Sequence, residues 1–176
     1  MTYTKILWVD LEMTGLEPTV DRILEIGAII TDWDFKPIAQ FEAVVCQDEA
    51  FMKQRMQGPF FEENSQTRDA LWAQNGKGLP EAEVEQQFID FIRQHIDDES
   101  VLLAGNSIHQ DRRFIAQWMP KLNKMLHYRM LDVSAWKVVF EDKYGKKFAK
   151  PEEHRALSDI QGSIEELKYY LKKVKA

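Results

Sequence analysis

A single cysteine, Cys46, stands in a chain of 176 residues, so no intramolecular disulfide can form. That excludes a disulfide-stapled secreted scaffold and points to a reducing compartment, the cytoplasm. Long apolar runs are missing too: none approaches the roughly 18 residues of a membrane span. The opening residues Met1 to Lys5 lead straight into a strand-like stretch, so neither a leader peptide nor a membrane anchor is expected. Cationic charge is short, with 23 Lys and Arg against 29 Asp and Glu and a net charge of −6. The molecule as a whole repels polyanions, and docking on a long duplex through its phosphates fits it poorly. No repeat, interdomain linker or low-complexity tract interrupts the chain.

What is present is core material. Hydrophobic residues make up 44% of the chain and include ten Phe, five Trp and five Tyr, enough apolar surface to offset chain entropy. Residues 1–176 are expected to form one domain. Lys5 to Asp10, Ile23 to Thr31 and Pro37 to Gln47 read as three strands, and the turn-like Asp32 to Pro37 makes the second and third an antiparallel hairpin. Between Glu81 and Ile96, Val84, Phe88, Phe91, Ile92 and Ile96 recur at three- and four-residue spacing, an amphipathic helix entered at Pro80. Val101 to Gly105 reads as a buried strand leading into a helix near His109 to Met119. Met130 to Val133 reads as a fifth strand, with Asp132 or Ser134 capping a helix that includes Trp136, Val139 and Phe140. A stripe of Leu157, Ile160, Ile164, Leu167, Leu171 and Val174 marks the last helix. The order predicts an α/β fold, a five-stranded mixed sheet flanked by helices.

Alternation along the first strand puts Ile6, Trp8, Asp10 and Glu12 on one side and Leu7, Val9 and Leu11 on the other. Two acids therefore finish an apolar row. Neighbouring carboxylates on one face repel unless one takes a proton or a cation lies between them, and their oxygens suit a hard divalent ion. A solvated strand end fits the same pattern. Asp111 falls where the fourth strand gives way to a helix, at the sheet edge where α/β proteins often build sites; it also fits an ordinary first-turn acid. His154 precedes the last helix and Asp159 lies five residues on, a spacing that lets both face one point. Four carboxylates around two divalent cations sum to zero charge.

Asp10-Leu11-Glu12-Met13-Thr14-Gly15-Leu16, Gly105-Asn106-Ser107 with Gln110-Asp111-Arg112-Arg113-Phe114, His127-Tyr128-Arg129 with Leu131-Asp132-Val133-Ser134, and His154-Arg155-Ala156-Leu157-Ser158-Asp159 occur in that order. From residue 6 to about residue 172 the chain resembles the oligoribonucleases, DEDDh exonucleases with an RNase H-like fold. The resemblance implies that Asp10, Glu12, Asp111 and Asp159 hold two Mg²⁺ or Mn²⁺ ions, with His154 as general base, and that activity falls at acid pH. It implies a substrate of very short RNA, down to a dinucleotide, degraded from the 3′ end. Leu16 matches the family's apolar wedge between two bases. Counting back from Leu71 places Phe61 where the family carries a base-stacking tryptophan, a role that a ring at Phe60 could also fill. Ser107, Arg129 and Ser134 match parts of a cap for the 5′ phosphate, and Tyr128 matches a residue supplied across a homodimer interface. Gln66 departs from the pattern, standing where a histidine is typical; an amide can bond a phosphate oxygen but brings no charge.

The same residues leave room for a DEDDh exonuclease acting on longer strands, or for a catalytically silent nucleotide-binding dimer. Clustered acids argue against silence, because a scaffold does not need mutually repelling charges. Other conspicuous groups are set aside. His109 reads as a helix-entry residue, His95 and His127 as packing or surface groups, Cys46 as a buried thiol, the five tryptophans as mostly core or interface, and the basic end Lys168 to Lys175 as a solvated helix terminus.

Overall fold

The computed structural model describes residues 3–149 and 155–174. Five strands, β1 (Ile6–Met13), β2 (Ile23–Thr31), β3 (Pro37–Val44), β4 (Val101–Gly105) and β5 (Leu126–Asp132), form one sheet in the order β3-β2-β1-β4-β5. β1, β2 and β3 run antiparallel in sequence, whereas β4 lies parallel to β1 and β5 parallel to β4. Parallel neighbours need crossover connections, and helices supply them. α4 (Glu81–His95) precedes β4, while α5 (His109–Trp118) and α6 (Pro120–Asn123) join β4 to β5. These pack on one face of the sheet, where Val84, Phe88, Ile92, Phe114, Ile115 and Leu122 meet Leu7, Val9 and Leu11. The other face is covered by α7 (Val133–Val138), a π turn at Val139–Lys143 and α8 (Ala156–Leu171), whose Ile160, Ile164, Leu167 and Tyr170 enclose Ile6, Trp8 and Ile29. β2 is buried along its whole length and sits inside the sheet, while β3, at the edge, is largely open to solvent.

The mixed five-stranded sheet matches the order read from the sequence, with differences at the margins. Three helices between residues 49 and 74 had no sequence counterpart: α1 (Glu49–Arg55), α2 (Pro59–Glu63) and α3 (Ser65–Gln74). They are short and bury little, only Met52 in α1 and Leu71 in α3, so no apolar stripe announces them. β5 begins at Leu126, four residues earlier than expected, and Val133 opens α7 instead of closing the strand. Asp132 is the residue that caps α7, accepting the Ser134 N–H at 2.9 Å. Cys46 is exposed, not buried. Beyond β3 the chain bridges to Leu79, with Val45 turned fully inward, and alternation sends the next side chain out.

One close approach positions α8 against the sheet. A Cβ at Gly27 would lie 2.7 Å from the Ala156 Cβ, so only glycine lets the start of α8 settle on β2. Gly27 is also the residue paired with Asp10 across β1 and β2.

Candidate active site

The end of β1 carries the apolar row into acid on the face that α8 covers. Asp10 and Glu12 extend from β1, Asp159 from the first turn of α8, and one carboxylate oxygen from each lies within 4.8 Å of the others. Asp111, in the first turn of α5, is buried outside that trio, and its Oδ1 accepts the Leu11 N–H at 3.0 Å. It is close enough for the Asp10 charge to act on it: burial first, and Asp10 next, push its carboxyl well above the usual range. Glu12 is pushed up to about 9 by burial, then by the charges of Asp10, Glu25 and Asp159, with Arg155 opposing. These carboxyls resist shared ionisation without a cation. Their all-oxygen donor set and its convergence fit a hard divalent ion, with Asp10, Glu12 and Asp159 placed to hold it and Asp111 beside them. His154 lies outside the described residues.

Asp21 organises the loop after β1. Its Oδ1 accepts from Thr14 Oγ1 at 3.0 Å and Arg55 Nε at 2.9 Å, and its Oδ2 accepts the Glu17 N–H at 2.9 Å. Burial pushes the Asp21 carboxyl up, but the Arg55, Glu17 and Thr14 bonds outweigh it and hold the group below its ordinary value. The loop presents Leu16, 71% exposed, and Gln110 next to Asp111 donates to the Leu16 carbonyl at 2.6 Å. Apolar surface is thus held out beside the acids.

A second polar group lies between β4 and α7. Ser107 adopts a left-handed backbone, φ 48°, costly for a residue with a Cβ. Its N–H donates to Asp132 Oδ1 at 3.0 Å and to Ser134 Oγ at 2.9 Å, and the two serine hydroxyls lie 3.0 Å apart. Asn106 ties this pair inward: its Oδ1 accepts from Ser134 Oγ at 3.2 Å, and its Nδ2 donates to Ser163 Oγ and to the buried Glu166. Asp132 lies 3.7 Å from the exposed His109, which opens α5 as expected of a helix-entry residue.

Tyr128 and Arg129 stand exposed on β5, the guanidinium 5.3 Å over the tyrosine ring. In α2, Phe60 is exposed, while Phe61 is half-buried against the small cluster of Leu24, Met52, Met56 and Leu71. Gln66 is exposed on α3. Sequence reasoning missed Asn106, Asp21, Glu25 and Arg155 as site-forming residues. Glu25 carried a signal, a charge near the start of an otherwise apolar strand, and Asn106 and Arg155 stood inside the matching motifs without a role assigned to them.

A family model described as Exonuclease matches residues 7–167. Among solved structures, an exonuclease I from Methylocaldum szegediense superposes with a TM-score of 0.67 at 15% identity, covering 97% of this chain. Escherichia coli exonuclease I in complex with an oligonucleotide gives 0.65 at 14%, covering 98%. The chain spans about two fifths of those exonuclease I chains, 41% in each case, and at such identities the likeness is one of fold. Fold and family model together define an RNase H-like exonuclease domain. The relatives narrow it further. An oligoribonuclease of Chromobacterium violaceum is 38% identical over 169 residues, 94% of this chain and 92% of its own length. One of Francisella tularensis subsp. novicida is 41% identical over 172 residues, 96% and 95% of the two chains. The chain belongs to the oligoribonuclease family of exonucleases, and with that membership it is a nuclease, a phosphodiester hydrolase. No helix among the described residues is long and apolar enough to cross a membrane.

Proposed function

We propose that the chain hydrolyses RNA of a few nucleotides, down to a dinucleotide, from the 3′ end to 5′-mononucleotides, with two divalent ions, Mg²⁺ or Mn²⁺, at Asp10, Glu12, Asp111 and Asp159. The observation that carries this is the meeting of Asp10, Glu12 and Asp159 at the carboxyl end of the central strand, in a chain of this family. When bound, the ions supply activation of the attacking water and neutralise charge on the departing oxygen. The chain's own residues do the rest. His154 takes the proton from the water. Leu16 separates the last two bases, and an aromatic ring of the Phe60 and Phe61 pair stacks on one of them. Ser107, Ser134 and Arg129 receive the 5′ phosphate, Arg129 through charge-assisted bonds that lysine reproduces poorly.

Short substrates suit the charge balance. A strand of many nucleotides needs a cationic track, and a chain of net charge −6 is poorly supplied with one. Homodimerisation, with Tyr128 completing the site of the other protomer, is supported by the exposed large apolar side chains of Tyr128 on the edge strand and of Val138, Val139 and Tyr144 after it. The test is a digest of equimolar two-, five- and fifteen-nucleotide RNAs with Mn²⁺, with Asp159→Ala as control and sedimentation of the same preparation. The dinucleotide is consumed fastest by a species of twice the chain mass. Preference for the fifteen-mer, or hydrolysis surviving in Asp159→Ala, overturns the reading.

A further inference from the structure

Glu25 is an acid near the start of β2, 1% exposed, directly opposite Glu12 on β1. A carboxylate that deep in the fold requires partners. Its Oε2 accepts from Arg155 at 3.1 Å and from Gln74 Nε2 at 2.6 Å, while its Oε1 has none among the described residues. Both bonds that hold the group therefore converge on one oxygen. Arg155 also reaches Gln74 Oε1 at 3.5 Å, so its guanidinium ties the inner strand β2 to the last residue of α3.

The main chain of Arg155 makes a different connection. Arg155 is the residue that α8 starts from, and its N–H donates to Asp159 Oδ2 at 3.2 Å, while the Asp159 N–H donates back to the Arg155 carbonyl at 2.9 Å. Asp159 is one of the three converging acids. Where the Arg155 backbone sits thus sets where one oxygen of Asp159 points, and the side chain pins that backbone to the sheet. The contact of Ala156 with Gly27, next along the chain, closes the approach from the other side. In sequence, Arg155 directly follows His154, the proposed base. The guanidinium thus holds β2 and the end of α3, while the main chain of the same residue holds Asp159.

We propose that Arg155 is a positioning residue for the reaction: anchored on Glu25 and Gln74, it holds the first turn of α8 so that Asp159 meets Asp10 and Glu12 in register. This rests on the nuclease reading above and names a residue that acts through Asp159. The competing role is neutralisation alone, in which Arg155 only offsets the buried Glu25 charge. The two roles separate in the pair of variants Arg155→Gln and Glu25→Gln/Arg155→Gln, because the double variant removes the buried charge together with its counter-ion.

For wild type, both variants and Arg155→Lys, kcat and KM are measured on a 5′-phosphorylated dinucleotide, the Mn²⁺ dissociation constant by calorimetry without substrate, and the thermal midpoint. Arg155→Gln lowers kcat at least tenfold with KM within threefold, and weakens Mn²⁺ at least fivefold. Arg155→Lys keeps the charge without the planar fork and recovers only part of both. The double variant regains thermal stability but not kcat or Mn²⁺ affinity. If both return to wild-type values along with the thermal midpoint, or if folded Arg155→Gln has wild-type kcat and Mn²⁺ affinity, the positioning role is wrong. Should Arg155→Gln fail to fold, the double variant and Arg155→Lys decide. A wild-type chain that hydrolyses nothing would defeat the nuclease reading, while the Mn²⁺ titration would still report on Arg155.

Discussion

The two faces of β1 were built from the same eight residues and serve opposite ends. Leu7, Val9 and Leu11 face α4 and α5, apolar from first to last. Ile6 and Trp8 begin the other face in the same way, with the Trp8 indole N–H satisfied by Thr31 Oγ1 at 3.0 Å, and then Asp10 and Glu12 turn it acidic. Each fully buried aliphatic side chain of the first row stabilises the fold by about 1.5–3 kcal/mol. The acidic half of the second row does the reverse, since carboxylates brought together and half-buried cost free energy until a cation or a proton joins them. Parity along one strand thus separates a row that is apolar throughout from one that ends in acid, and α8 is the element that faces the acidic side.

The sharpest way to break that separation is to change one residue on each face. Asp10→Asn is expected to lower kcat on the order of 10³-fold, comparable with or beyond the loss of one preorganised electrostatic contact in other enzymes. Its metal-free thermal midpoint stays equal or rises, because a like charge has gone. Leu7→Ala is expected to cost about 3 kcal/mol of stability through the cavity it leaves, with kcat of the folded protein unchanged. Chemical denaturation and initial rates on a dinucleotide read both. A stability collapse in Asp10→Asn, or a kcat collapse in folded Leu7→Ala, would show that the faces are not independent.

A pH series sharpens the same contrast. Glu12 has a folded value raised from 4.5 to about 9, first by burial and then by the charges of Asp10, Glu25 and Asp159. A carboxyl raised on folding binds more protons in the native state, so its contribution is fully present below the unfolded value and is lost as pH climbs toward the folded one. The thermal midpoint of metal-free protein should therefore decline between roughly pH 5 and 9. Glu12→Gln flattens the decline, and Mn²⁺ lifts the alkaline end in wild type. Asp21 runs the opposite way, held below its ordinary value by the Arg55, Glu17 and Thr14 bonds despite its burial, so its stabilisation is lost only as pH falls through that depressed value. A flat midpoint from pH 5 to 9 without metal would mean the acids do not repel as their placement implies.

The acids were legible because a strand displays its chemistry by parity, and Asp10 and Glu12 interrupt an apolar row where any reader of period two meets them. The sheet followed from apolar runs, and its mixed direction from the hairpin and crossover order. Residues whose meaning depends on a distant partner were not legible. Glu25 and Arg155 are 130 positions apart and meet only when α8 packs on Gly27. Ser107 carries no sign of its left-handed backbone in its own residue type, since that conformation is held by Asp132 and Ser134 from another element. α1 to α3 escaped because a helix that buries one or no side chain leaves no period to find. For the substrate side the matching motifs name residues that composition alone does not, and two of them, Leu16 and Tyr128, are exposed.

Asn106 offers the finest cut, because it ties α7 to α8 on the acidic face without belonging to either row. It leaves the end of β4, takes the Ser134 hydroxyl on its Oδ1 and gives its Nδ2 hydrogens to Ser163 and Glu166 of α8. Ser163 in turn donates to the Asp159 carbonyl at 2.8 Å, so the serines proposed for the phosphate are connected through α8 to the acid cluster. Asn106→Leu keeps the bulk and removes all three bonds. Glu166 retains the Tyr170 hydroxyl at 2.9 Å, which limits the stability loss to about 1–2 kcal/mol. The serines lose their common anchor, so KM for a 5′-phosphorylated dinucleotide rises several-fold, about 1 kcal/mol of binding, while KM for the same dinucleotide without the phosphate stays put. An equal rise for both substrates would assign Asn106 to the fold alone and detach the serine pair from phosphate recognition.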